Sequence, residues 1–177
     1  MRIIAGKHRG RVLKEFKGRQ IRPTADRAKE AIFNILQTDI YGADFLDLYS
    51  GTGNMGVEAL SRGANSAVLV DSSKESVEII KFNADMIKEN SEVVQSDALT
   101  YVLSTRKKFD IIFLDPPYDI DATPVLKAIA ENNLLNDGGI VIYEHSEDLK
   151  VEDIEKLEHI STRKYGIAHF EFYGERK

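Results

Sequence analysis

The 177-residue chain is long enough for one domain with a full hydrophobic core and short for two. It contains no cysteine, which excludes disulfides, thiolate metal sites and thiol nucleophiles. The net charge of −5 is unevenly spread: the first 30 residues hold ten lysines and arginines against three acids, and the other 147 hold fourteen against twenty-six. An acidic body with a basic N-terminal end points to a polyanionic partner met by that end, the alternative being a solvated basic tail.

No window approaches the roughly 18 consecutive apolar residues of a membrane-spanning helix, so no membrane partner is expected. The opening MRIIAGKHRGR has neither the apolar core nor the small-residue cleavage site of a secretory signal. A cytoplasmic, monomeric protein is expected.

In chain order, MRIIAGKHRGRVLKEF reads as a short hairpin turning at GKHRG. KGRQIRP follows as a loop, and TADRAKEAIFNILQ as a helix capped by Thr24. Residues 1–42 are too few for an independent fold. They are expected to form a basic arm docked through Ile3, Ile4, Val12, Ile32, Phe33 and Leu36. From residue 43 the pattern changes: ADFLDLY, NSAVLVD, SEVVQS, FDIIFLD and GGIVIYE are strand-like. Helical patterns lie between them in GNMGVEALSRG, in SSKESVEIIKFNADMIKEN with Ser72 or Ser73 as cap, and in TPVLKAIAENNLL. This alternation predicts a parallel sheet with helices on both faces, and the continuous runs VLV and IIFL fit strands buried on both sides. KLEHISTRKYG and IAHFEFYGE, with a turn near Gly166, predict an antiparallel hairpin at the sheet edge. The fold class expected is α/β: a Rossmann-like, doubly wound, mostly parallel sheet over residues 43–177, plus the hairpin-helix arm.

The stretch DLYSGTGNMG, residues 47–56, carries G-x-G-x-x-G at Gly51, Gly53 and Gly56 between a predicted strand and helix. Glycines let a backbone approach a ligand closely, and the helix N-terminus supplies unsatisfied N–H donors. A nicotinamide cofactor would place its pyrophosphate there. S-adenosylmethionine is the second candidate: it carries no phosphate but a cationic sulfonium. Asp47, ahead of the loop, would oppose a pyrophosphate and favour a cationic amino-acid end, with Ser50, Gly51 and Gly53 beside it. Asp71 ends the next strand, followed by Ser72, at the place where an acid accepts from ribose hydroxyls in either cofactor. Asp97 and Ala98 follow a third strand, where they are positioned to meet an adenine edge; the alternative for Asp97 is a cap on a following helix.

FDIIFLDPPYD places Asp115, Pro116, Pro117 and Tyr118 at the end of the fourth strand. Two prolines stop the ladder and fix the backbone. The Asp115 carboxylate and Pro116 carbonyl can then accept both hydrogens of an aromatic amine, aiming its lone pair at a methyl group held by the glycine loop. Tyr118 offers a face on which an extruded base stacks. Glu144 and His145 end the fifth strand near the same rim. His8, His145, His159 and His169 show no ligand spacing, so no metal is expected.

DLYSGTGNMG, Asp71, SDA at 96–98 and DPPY, in that order, resemble the class I S-adenosylmethionine-dependent methyltransferases that act on exocyclic amines of nucleic acid. RIIAGKHRGR at 2–11 and RPTADRAKEAIFNIL at 22–36 closely resemble the bacterial 16S ribosomal RNA guanine-N2 methyltransferases of the RsmD type. The resemblance covers nearly the whole chain. Where that family commonly has an aromatic after the first GK, this chain has His8. The resemblance implies methylation of the N2 amine of one guanine in 16S ribosomal RNA within a small-subunit particle, and a seven-stranded sheet with an antiparallel last strand. It also implies that Thr24 closes over the methionine end of the cofactor, while Arg2, Lys7, Arg9, Arg11, Arg22 and Arg27 face RNA. Direct transfer without a covalent enzyme intermediate is expected, since thiolate addition is excluded. The competing readings are an adenine-N6 methyltransferase on DNA or RNA, a nicotinamide-dependent oxidoreductase and an inactive binding module.

Overall fold

The computed structural model describes residues 1–18, 23–146 and 153–175, with backbone alone for 23–25. Its elements are α1 (Pro23–Ile35), β1 (Asp44–Leu48), α2 (Asn54–Ser61), β2 (Ser66–Asp71), α3 (Lys74–Ile87) and β3 (Ser91–Gln95). They continue with α4 (Ala98–Ser104), β4 (Phe109–Leu114), α5 (Thr123–Glu131), β5 (Leu135–Ser146), β6 (Leu157–Tyr165) and β7 (Ala168–Glu175). The seven strands form one sheet in the order β3-β2-β1-β4-β5-β7-β6. The first five are parallel, and β7 runs antiparallel between β5 and β6. The expected doubly wound sheet with an antiparallel C-terminal hairpin is therefore present.

The alternation of strand side chains feeds two cores. Leu46, Leu48, Ile112, Leu114, Val141 and Tyr143 face α4 and α5. Phe45, Ile111, Phe113 and Ile142 face the other way, against residues of α1, α2 and α3. Ile3, Leu13, Ile32, Phe33 and Leu36 join this second core, so the N-terminal segment packs on the sheet as an extra layer. Val12 does not dock as expected: it is 65% exposed, because it sits at the single bridge Arg2–Val12 that makes up the N-terminal hairpin.

Three boundaries differ from expectation. Helix α1 begins at Pro23, so Thr24 lies within the first turn instead of capping it; proline suits the first helical position, where its missing N–H has no partner to lose. Helix α4 is too short, at seven residues, to carry a periodic signal, and it bears out the alternative reading of Asp97 as a cap. The C-terminal end of the predicted helix TPVLKAIAENNLL is instead the start of β5, after Asn133 turns the chain at a left-handed φ of 55°.

Candidate active site

Strand periodicity builds the site. Asp47 continues the row of Phe45 on β1, Asp115 that of Ile111 and Phe113 on β4, and Glu144 that of Ile142 on β5. These strands are neighbours, with Asp47 opposite Phe113 and Leu114 opposite Tyr143. Three carboxyls thus converge on one face, at the C-terminal ends of adjacent strands, beside the point where the strand order reverses. They line one cavity of about 390 Å³ with Lys29, Tyr49, Ser50, Gly51 and Tyr118. Its apolar wall includes Phe113, Tyr165 and Phe170, the last two edge to face at 5.8 Å, and Phe16 from the N-terminal segment.

The acid ahead of the glycine loop also folds that loop. Asp47 Oδ2 accepts from the Ser50 hydroxyl at 2.8 Å and from the Gly56 N–H at 2.9 Å. Gly56 has no room for a side chain: a Cβ would lie 2.6 Å from Leu69 Cδ2 and 3.3 Å from Asp47 Oδ2. Asp71 Oδ2 accepts from the Gly51 N–H and Oδ1 from the Ser73 N–H, both at 2.9 Å. A carboxylate oxygen has a second lone pair, so Asp71 retains capacity for hydroxyl donors.

The cleft is short of positive charge. Burial pushes the Asp47 carboxyl up to about 7 against the two hydrogen bonds that lower it, and Asp71 adds to the rise. Burial likewise raises Glu144 to about 7, opposed by a hydrogen bond from the Tyr118 hydroxyl. Asp115 is open to the cavity but enclosed on its protein side; that enclosure first, then Glu144 and Asp47, raise it well above the usual carboxylate range. The cations at this wall are already engaged: the Met1 ammonium pairs with Glu15, and Lys29 meets Glu58 at 3.1 Å, Asn54 Oδ1 at 2.7 Å and the Arg2 carbonyl at 3.0 Å, so it is Lys29 whose state burial governs. Burial lowers its pKa in spite of Glu58. Such a cleft attracts a cationic ligand and repels a pyrophosphate.

The cavity brings together Asp47, Ser50, Gly51, Asp115 and Tyr118 of the residues expected from sequence. Gly53 does not line it; at φ 80° it is the N-cap of α2, and a Cβ there would lie 3.2 Å from Leu69 Cδ2. Asp71, Ser72, Asp97 and Ala98 lie outside it, along the ends of β2 and β3. Asp97 caps α4, accepting from the Thr100 N–H at 3.1 Å. Pro116 is buried, and Tyr118 is half exposed.

Among the arm residues, Arg2, Arg9 and Arg27 surround a second cavity of about 360 Å³, together with Asp26 and Glu30. Lys7 instead pairs with Glu89 at 2.7 Å, and the Arg11 guanidinium donates to the Met86 carbonyl. His8 is turned inward, buried, with Nε2 2.7 Å from Glu89 Oε1, so its ring is not an exposed stacking face. Arg22 and the side chain of Thr24 lie outside the described residues. Sequence reading missed Lys29 and Tyr49. Lys29 falls on the apolar face of α1 in register with Ile32 and Phe33, a signal that was available; the left-handed φ of 60° at Tyr49 left none.

A Rossmann-like sheet whose glycine loop opens on an acid-lined cleft with DPPY at its far wall defines a methyltransferase that uses S-adenosylmethionine. The chain belongs to the family described as "Conserved hypothetical protein 95", whose model matches residues 1–174. It is 32% identical to "Ribosomal RNA small subunit methyltransferase D" of Haemophilus influenzae over 98% of this chain and 93% of that one. Its structure is similar to that of "Putative methyltransferase yhhF" from Escherichia coli, with a TM-score of 0.88, 28% identity, and coverage of 99% and 97%. The structure described as "SMU.776, a putative methyltransferase complexed with SAH" shares the fold at a TM-score of 0.69 and 16% identity, over 86% of this chain and 50% of that one.

Proposed function

We propose that the protein methylates the exocyclic N2 amine of a guanine in 16S ribosomal RNA. The observation that carries this reading is the row of Asp47, Asp115 and Glu144 across β1, β4 and β5, which joins a site for a cationic methyl donor to acceptors for an aromatic amine. Relatives named for small-subunit ribosomal RNA supply the substrate class.

S-adenosylmethionine, when bound, supplies an electrophilic methyl group. Asp47 and the glycine loop hold its amino-acid end, Asp71 accepts from its ribose hydroxyls, and Asp97 with Ala98 borders its adenine. Asp115 accepts a hydrogen bond from the N2 amine and orients its lone pair; positioning of this kind supplies most of the rate in a reaction that needs no covalent intermediate. After transfer, Asp115 takes the proton that the methylated amine sheds, a role its raised pKa suits. Tyr118 provides the stacking face, as an extruded base requires. Arg2, Arg9 and Arg27 meet backbone phosphates, with Lys7, Arg11 and Arg22 extending the basic surface. The enzyme acts in the cytoplasm, as a monomer, on an assembling small-subunit particle.

The test is to map N2-methylguanosine in small-subunit ribosomal RNA from cells with and without the protein, then restore it in vitro with purified enzyme. Loss of one N2-methylguanosine is expected. Loss of an N6-methyladenosine instead, or an unchanged RNA, refutes the reading.

A further inference from the structure

DPPY by itself does not choose a base. Guanine N2 and adenine N6 both present an amine to a carboxylate, so the choice must come from a group that reads the neighbouring ring position. In guanine that position is N1–H, a donor; in adenine it is N1, an acceptor. We propose that Glu144 makes the choice, its carboxylate accepting the N1–H of the guanine whose N2 amine donates to Asp115.

The placement follows from the sheet. Leu114 pairs with Tyr143 across parallel β4 and β5, so Asp115 and Glu144 are the next pair in register and share a face. Both open on the same cavity. Adjacent strands are about 4.8 Å apart, and two carboxylates at that spacing can each bring an oxygen within about 2.8 Å of neighbouring ring donors. The Tyr118 hydroxyl donates to Glu144, which holds the carboxylate beside the ring meant for stacking and leaves its remaining lone pairs for the base. Two adjacent acceptors suit the donor–donor edge of guanine. They leave adenine N1 facing a carboxylate, acceptor against acceptor.

Burial supports the assignment. Glu144 is half-buried and, besides Asp115, has a neutral hydroxyl as its partner, so its charged form is disfavoured without a further donor. The N1–H of guanine supplies that donor. A site built to receive a hydrogen bond rejects an analogue lacking the donor far more strongly than a merely apolar pocket would.

This inference rests on the guanine-N2 reading, and the experiment separates the two. A synthetic RNA carrying the mapped target guanosine is compared with the same RNA holding 2-aminopurine riboside there, which keeps the N2 amine but has an acceptor at N1. At about pH 8, where Glu144 with its pKa of about 7 is mostly ionised and cannot donate, kcat/KM of the wild-type enzyme is expected to be at least about 100-fold higher on guanine. In Glu144→Gln the ratio is expected to fall within about tenfold, because the Gln carbonyl accepts from guanine and, flipped, its amide donates to 2-aminopurine. S-adenosylhomocysteine should stabilise both proteins equally. Wild-type rates within about threefold of each other, or an unchanged ratio in Glu144→Gln, overturn the assignment while the guanine-N2 reading stands. The wild-type comparison needs no variant to fold. Failure of the wild-type enzyme to methylate the guanine RNA overturns the underlying reading and this one with it.

Discussion

Replacing Asp47 by Asn tests the electrostatic basis of the donor site. The Asp47 carboxyl is buried, with a pKa raised from the ordinary 3.8 to about 7. A carboxyl raised in the fold stabilises it below about pH 4, where it is protonated in both states at no cost, and that contribution is lost as pH rises through the folded value. Between those limits the folded state holds the proton more tightly, so stability falls by about 1.4 kcal/mol per pH unit. Three units amount to about 4 kcal/mol in full, of which about 3 kcal/mol falls between about pH 5 and about pH 8. Asn cannot ionise, yet its amide oxygen can still accept from Ser50 and from the Gly56 N–H. Asp47→Asn should therefore gain on the wild type by about 3 kcal/mol between those two pH values in urea denaturation. The other titrating groups are common to both proteins and cancel in the difference, except for the smaller terms from Asp71 and Asp115, which interact with Asp47. At about pH 8 S-adenosylhomocysteine should raise the Tm of the wild type and leave that of Asp47→Asn nearly unchanged. Parallel stability curves from acid to alkaline pH would show that Asp47 is not held in a disfavoured charged state, and the argument for a cationic ligand would fail with it.

Asp115→Asn should lower kcat by about 100-fold or more while S-adenosylhomocysteine still shifts the Tm, since the residue acts on the amine; a kcat within a factor of three refutes the role. Because Asp115 can take the amine's proton only when ionised, and its pKa is raised, single-turnover methylation should rise with pH to an inflection above the ordinary carboxylate range. A flat profile would count against it. Lys29→Met should destabilise by roughly 3–5 kcal/mol, because Glu58 loses a buried partner. The double variant Lys29→Met/Glu58→Gln should cost less than the two single changes added, as measured by denaturation. Gly56→Ala should cost about 1–3 kcal/mol through overlap with Leu69 and should weaken S-adenosylhomocysteine binding, because Asp47 must move.

Most of the sheet was legible because buried parallel strands write themselves as short apolar runs, and VLV and IIFL left no other reading. The acids at the strand ends were visible for the same reason: a charged residue closing an apolar run stands out. What each acid does was less visible. Asp97 and Asp71 spend lone pairs on Thr100, Gly51 and Ser73, contacts set by how the chain turns after the strand rather than by residue type. The arm was read by charge, and charge alone did not reveal that Lys7 is met by Glu89 from beyond α3, some eighty positions away in sequence. Nor did it reveal that His8 points inward. The short helix α4 and the single-bridge hairpin lacked the length over which periodicity can be read.

Two kinds of carboxyl coexist on this face of the sheet, one compensated from within the chain and one not. Glu58 is fully buried and receives four donors: the N–H groups of Ile4 and Ala5, the Arg62 guanidinium and the Lys29 ammonium. Its charge is compensated from within, and the result is orientation: it fixes the N-terminal segment to α1 and α2. Asp47 has two neutral donors on one oxygen, and Glu144 has the Tyr118 hydroxyl. Both are left with a raised pKa, which makes their ionised forms a cost to the fold. The chain has the means to neutralise a buried carboxyl and does so at Glu58. Asp47 and Glu144 have no such compensation among the described residues, and that is what the proposed ligands, a cationic methyl donor at the first and the donor edge of a guanine at the second, would supply.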